Sequence, residues 1–154
     1  MRRREGRCDM QKLSFYKMSG SGNDFVMIDN RDGRLDVDPK LLAVRLCRRG
    51  MSVGADGVIL VEPSSKADFR MRIFNADGSE AEMCGNGGRC VARFAEILGI
   101  SGSRMAFETL AGLIRAEVKG ERVKLQINQP RDLQLRQSID VDGVVHQVHS
   151  VNTG

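Results

Sequence analysis

The stretch from Asn75 to Cys90 reads N-A-D-G-S-E-A-E-M-C-G-N-G-G-R-C, and it concentrates the residues that could do chemistry. Cys84 stands where a glycine-rich turn should open a helix. The unpaired N–H groups of a first helical turn make an anion site, and the helix dipole favours negative charge there. A thiolate, the basic and nucleophilic form of cysteine, is favoured in the same place. Glycines at 85, 87 and 88 are expected to let the backbone come close to a bound group. The stretch therefore offers a thiolate beside a carboxylate cradle. Removing a proton next to a carboxylate needs both. The carbanion spreads its charge into the carboxylate, fixed N–H donors stabilise that charge, and a positioned thiolate serves as general base near neutral pH. A free cysteine is often only a small buried apolar residue. That reading suits Cys47 and Cys90, on apolar helix faces; for Cys84 the glycine setting suggests no packing reason.

The elements that must position this segment follow from period and punctuation. Leu13 to Met18 reads as a strand, Ser19 to Asp24 as a tight polar loop, and Phe25 to Asp29 as a second strand. Asp38-Pro39 starts a helix, with Asp as N-cap and Pro at the first position, and Gly50 stops it. Gly57 to Val61 is an apolar strand. Asp68 to Phe74 alternates, with Phe69, Met71 and Ile73 on one face and Arg70 and Arg72 on the other. A second, largely buried helix should run from Cys84 to Leu98 and end at Gly99. Strands follow at 105–109, 113–118 and 122–128, then at 133–141 and 144–151, the last two joined by the hairpin signal Asp142-Gly143. The expectation is an α+β fold, a mainly antiparallel sheet wrapped around a central buried helix.

The chain has 154 residues, 41% apolar and 29% charged, ordinary for a globular protein. No apolar run approaches the roughly 18 residues that span a bilayer, so no membrane partner is expected. Met1 to Gln11 is basic and polar without a secretory-signal pattern, and the expected compartment is the cytoplasm. Arg2, Arg3 and Arg4 could touch an acidic surface, but a solvated, disordered tail over 1–11 is the simpler reading. With one Tyr and no Trp there is no stacking platform for nucleic acid. Cys8, Cys47, Cys84 and Cys90 lack the spacing of a zinc site, so no metal is expected.

Three motifs together carry a family resemblance. K-M-S-G-S-G-N-D-F (Lys17 to Phe25), G-A-D-G (Gly54 to Gly57) and I-F-N-A-D-G-S-E-A-E-M-C-G-N-G-G-R-C (Ile73 to Cys90) resemble, in order and spacing, the successive motifs of diaminopimelate epimerase. The resemblance runs from about Leu13 to the end. It implies one of two similar domains, each a sheet around a central helix, with the active site in the cleft between them. It further implies a small-molecule substrate, L,L- or meso-diaminopimelate, in lysine and peptidoglycan precursor synthesis. No cofactor is implied, neither pyridoxal phosphate nor metal. Two cysteines, one per domain, would face opposite sides of the α-carbon, one taking a proton as thiolate and the other delivering one as thiol. Cys84 matches the first of these. The amides of Gly85 and Asn86 match the carboxylate cradle, and Asn23 and Asn75 match substrate-contacting asparagines.

Two departures matter. Many family members carry a substrate-contacting Gln where this sequence has Gly57. The second cysteine and a Glu-Arg pair belong to the family's C-terminal half and have no counterpart before Gly154. The expected organisation is therefore a tail (1–11), an N-terminal epimerase domain (12–128) and the truncated start of a second domain (129–154), inactive alone. Its expected partners are the missing C-terminal half and, through an exposed cleft face, a second copy in a homodimer. The alternatives left open are a proline-racemase-like enzyme and a non-catalytic carboxylate-binding half-domain.

Overall fold

The computed structural model describes residues 12–153; the expectation for the basic tail lies outside them. Ten strands and two helices follow in the order β1 (Tyr16–Gly20), β2 (Asn23–Asp29), α1 (Pro39–Leu46), β3 (Gly57–Glu62), β4 (Phe69–Asn75), β5 (Glu80–Ala81), α2 (Gly85–Ile97), β6 (Arg104–Thr109), β7 (Gly112–Lys119), β8 (Arg122–Gln126), β9 (Arg131–Val141) and β10 (Val144–Asn152). β1 to β8 make one mixed sheet in the order β1-β2-β3-β4-β6-β7-β8, with β5 on β4; β9 and β10 pair only with each other.

Two joints of the sheet are parallel, β2 with β3 and β4 with β6. The expectation of a mainly antiparallel sheet did not include them. Alternation of side chains does not encode partner direction, but connection length does. In each case a helix lies between the strands, and a helical crossover returns the chain parallel to its starting strand. The polar loop after β1 is also shorter than expected. Strand pairing continues to Gly20↔Asn23, leaving only Ser21 and Gly22, both at positive φ (50° and 95°), in a two-residue turn.

The apolar runs of β2 and β3 are buried on both faces, as continuous rather than alternating patterns require. Phe25, Met27, Ile59 and Val61 join Phe69, Met71 and Ile73 of β4 on one face, against Val91, Phe94 and Ala95 of α2. Val26, Ile28, Val58, Leu60 and Phe74 face the other way, onto Ala43 and Cys47 at α1. Helix α2 packs against β1 and β2 at one end of the sheet order and β7 and β8 at the other. The sheet therefore curls, and its two ends meet the same helix. The β9–β10 hairpin turns at Asp142-Gly143, both at positive φ, and leaves Leu133, Leu135 and Val145 more than 60% exposed.

Candidate functional site

Cys84 is the N-cap of α2. Its backbone is extended (φ −139°, ψ 123°), its Sγ accepts the Gly87 amide at 3.4 Å, and its carbonyl accepts the Gly88 amide at 2.7 Å. The half-buried thiol lies at the edge of the core around α2. The amides of Gly85 and Asn86 make no hydrogen bond within the described residues. The helix start therefore presents a sulfur and two unpaired N–H donors side by side, the arrangement that holds an anion next to a base.

The glycines divide differently from expectation. A Cβ at Gly87 would lie 2.9 Å from Ile59 Cδ1, 3.2 Å from Ile73 Cδ1 and 3.3 Å from Met71 Cε. One at Gly88 would meet Leu125 Cδ1 at 2.9 Å and Met83 Cε at 3.0 Å. Both glycines serve packing: they let the first turn of α2 lie close on the sheet. Only Gly85 opens outward, with Arg89 Nη1 at 3.8 Å as its nearest neighbour. The glycine setting of Cys84 thus does have a packing reason, which sequence reading did not find because a close approach between distant strands leaves no local mark.

Asn86 and Asn23, expected from the motifs, come together. Asn86 Nδ2 donates to Asn23 Oδ1 at 2.7 Å, and Asn23 Nδ2 donates to Asp56 Oδ2 at 2.9 Å. Arg89 donates to Asn86 Oδ1 and, at 3.1 Å, to Ser21 Oγ. Asp56 also accepts the Asp24 amide at 3.1 Å, while Asp24 accepts the Asp56 amide at 3.2 Å. Arg49 bridges the two carboxylates at 2.6 and 2.8 Å, and Lys17 lies 3.1 Å from Asp24. The Arg49 guanidinium holds the Asp24 carboxyl far below the usual carboxylate range, with Lys17 adding to the effect. Hydrogen bonds from Asn23, the Asp24 amide and Arg49 lower that of Asp56. Asp24, Asp56, Arg49 and Arg89 were not among the expected site residues. Asp24 and Asp56 stood inside the quoted motifs, but their pairing joins segments 32 residues apart.

Asn75 is not drawn into this network. It is exposed at the end of β4, its Nδ2 donating to Ser79 Oγ at 2.9 Å within the turn. It shares a sheet edge with the site, since Phe25, Gly57 and Asn75 lie in one row across β2, β3 and β4. In that row a Cβ on Gly57 would stand 2.7 Å from the Phe74 carbonyl oxygen, so glycine is what this strand spacing admits. Burial pushes the Cys90 thiol up to about 11 and raises that of Cys47, so both are held as thiols in the core. A cavity of about 410 Å³ between β2 and α1 does not touch Cys84. Among the described residues no group of three or more His, Cys, Asp or Glu side chains could hold a metal, and no helix is long and apolar enough to cross a membrane.

A family model described as diaminopimelate epimerase matches residues 15–131. The diaminopimelate epimerase of Caldanaerobacter subterraneus subsp. tengcongensis is 42% identical, with 92% of this chain and 57% of that protein covered. That of Aquifex aeolicus is 43% identical, covering 92% and 54%. The chain spans little more than half the length of these curated relatives. In fold it is similar to a probable proline racemase from Agrobacterium radiobacter K84, solved with bound carbonate, at a TM-score of 0.66 and 17% identity over 90% of this chain and 49% of that one.

Proposed function

Because this chain belongs to the diaminopimelate epimerase family, we propose that it supplies one half of the active site of an amino-acid epimerase interconverting L,L- and meso-diaminopimelate. The observation that carries the proposal is Cys84 at the start of α2, beside two backbone amides that nothing in the described chain uses. The Cys84 thiolate takes the α-proton: the C–H bond breaks, an S–H bond forms, and the electron pair passes into the substrate carboxylate. The Gly85 and Asn86 amides stabilise that developing charge. A thiol from the C-terminal half delivers a proton to the opposite face, so configuration inverts with no net oxidation and no cofactor. One base alone would return the proton to the side it came from, so this chain by itself does not epimerise.

Under this reading residues 12–128 form the N-terminal domain and 129–154 begin the second. The separate β9–β10 sheet supports that division, and its exposed Leu133, Leu135 and Val145 give the C-terminal half, or a second copy in a homodimer, an apolar surface to cover. Asn23 and Asn75 contact substrate from the sheet edge. The setting is lysine and peptidoglycan precursor synthesis in the cytoplasm.

The test is solvent-deuterium incorporation at the α-carbon of L,L-diaminopimelate, under reductant. This chain is compared with a protein carrying both halves, each with a Cys84→Ala control. Exchange only in the two-half protein, abolished by Cys84→Ala, supports the proposal. Binding of diaminopimelate without exchange would replace it with a carboxylate-binding role.

A further inference from the structure

Four side chains from three separate segments form one continuous hydrogen-bond relay. Arg89 donates to Asn86 Oδ1, Asn86 Nδ2 to Asn23 Oδ1, and Asn23 Nδ2 to the Asp56 carboxylate. The two ends differ in character. A guanidinium only donates and a carboxylate only accepts, whereas each amide in between can turn either way. Arg89 requires Asn86 to present its oxygen, which turns the Asn86 nitrogen to Asn23. Asp56 requires Asn23 to present its nitrogen, which turns the Asn23 oxygen to Asn86. Both ends dictate the same polarity, so neither amide orientation is arbitrary.

Arg89 makes no ion pair among the described residues. Its Nη1 lies 3.8 Å from where a Cβ on Gly85 would stand, so the guanidinium sits beside the first turn of α2. The relay also ties the first turn of α2 to the β1–β2 turn and to the start of β3. We propose that Arg89 and Asp56 are positioning residues for the Cys84 helix start: as the donor-only and acceptor-only ends of the relay, they fix the orientation of Asn86 and Asn23 and so preorganise the anion cradle. This rests on the epimerase reading above and adds two residues to it.

Nuclear magnetic resonance of the 15N-labelled full chain tests the relay without substrate. Arg89→Gln is expected to move the side-chain NH₂ signals of Asn86 and also of Asn23, which Arg89 does not touch. Asp56→Asn is expected to move Asn23 and, through it, Asn86. Arg89→Lys keeps a donor-only end and should leave the Asn23 signal close to its original position. Signals that move only on the residue directly touched overturn the relay.

The two-half protein tests positioning. Each single substitution should lower kcat for α-hydrogen exchange only modestly, well short of the roughly 100-fold that a full misplacement of a reacting group costs, with KM little changed. Either single variant keeps one polarity-fixing end. The double variant keeps neither, and should lose more than the product of the single losses. Wild-type kcat in the double variant overturns the positioning role even if the relay is seen. If the unsubstituted two-half protein never exchanges, the epimerase reading falls and takes the positioning role with it, while the amide signals still report whether the relay exists.

Discussion

Replacing Cys84 by serine separates its two roles, because the position is at once a helix cap and the proposed base. As a cap, Sγ accepts the Gly87 amide at 3.4 Å from an extended backbone, the conformation in which serine is among the best N-caps. Serine keeps an acceptor and exchanges a weak one for a stronger one. Losing the half-buried sulfur costs about 0.4 kcal/mol, half of a buried methylene, and a better cap returns a similar amount. Cys84→Ser should therefore unfold within about 0.5 kcal/mol of the original chain. Cys84→Ala loses the acceptor as well, and should fall about 1 kcal/mol below the serine variant. For roughly 140 ordered residues that is a gap of about 3–5 °C in Tm. The assay is thermal unfolding of the chain under reductant, paired with α-hydrogen exchange in the two-half protein. Both variants should lose exchange. Equal Tm values for serine and alanine would show that the sulfur is not a cap. A serine variant that still exchanges at the original rate would show that the base lies elsewhere.

Alanine should be tolerated at one of the two nearby glycines and not at the other. Gly85→Ala meets only Arg89 at 3.8 Å and should be neutral in urea unfolding, whereas Gly87→Ala drives into three core side chains at 2.9–3.3 Å. Overpacking of roughly 1–3 kcal/mol against a helix-propensity gain of at most about 1 gives a net loss near 1 kcal/mol; equal stabilities would refute the packing role. The Asp24 carboxyl is held low by Arg49 first and Lys17 second. A depressed folded value stabilises the protein above the unfolded value of about 3.9, and this is lost as pH falls through the folded one. The stability gap between the original chain and Asp24→Asn should therefore be largest near pH 7 and shrink below about pH 4. An unchanged gap at pH 3 would contradict the ion-pair account.

How much was legible in the chain varies by element. Helix α1 was marked by Asp38-Pro39, and the Asp38 side chain does accept the Lys40 amide at 2.9 Å. The alternation of β4 was visible because one face meets the core and the other meets charge. Two-residue β5 was not anticipated; so short a strand has no period to detect. The parallel joints were within reach, since each encloses a helix, but side-chain alternation alone does not carry strand direction. At the site, Cys84 was singled out by local chemistry, as a cysteine at a glycine-rich helix start, and Gly85 and Asn86 by the motif resemblance. Asp56 was not found because its contact with Asn23 joins residues 33 apart, whereas Arg89 meets Asn86 within one helical turn and reads as an ordinary helix-surface arginine.

The sequence by itself determined a cysteine at a helix start, the strands and helices that carry it, and the family to which the motifs belong. The helix start, strands and helices rest on interactions between residues near one another in the chain (caps, turns and periodic apolar faces), and the family rests on the likeness of three motifs in order and spacing. Only the tertiary structure decided that Gly87 and Gly88 pack against the core while Gly85 stays open. It alone brought Asn23 to Asn86, with Asp56 behind Asn23, and left Asn75 outside this network. Those outcomes depend on how the sheet curls around α2, and curling is set by the summed packing of many distant side chains, none of which declares its partner in the sequence.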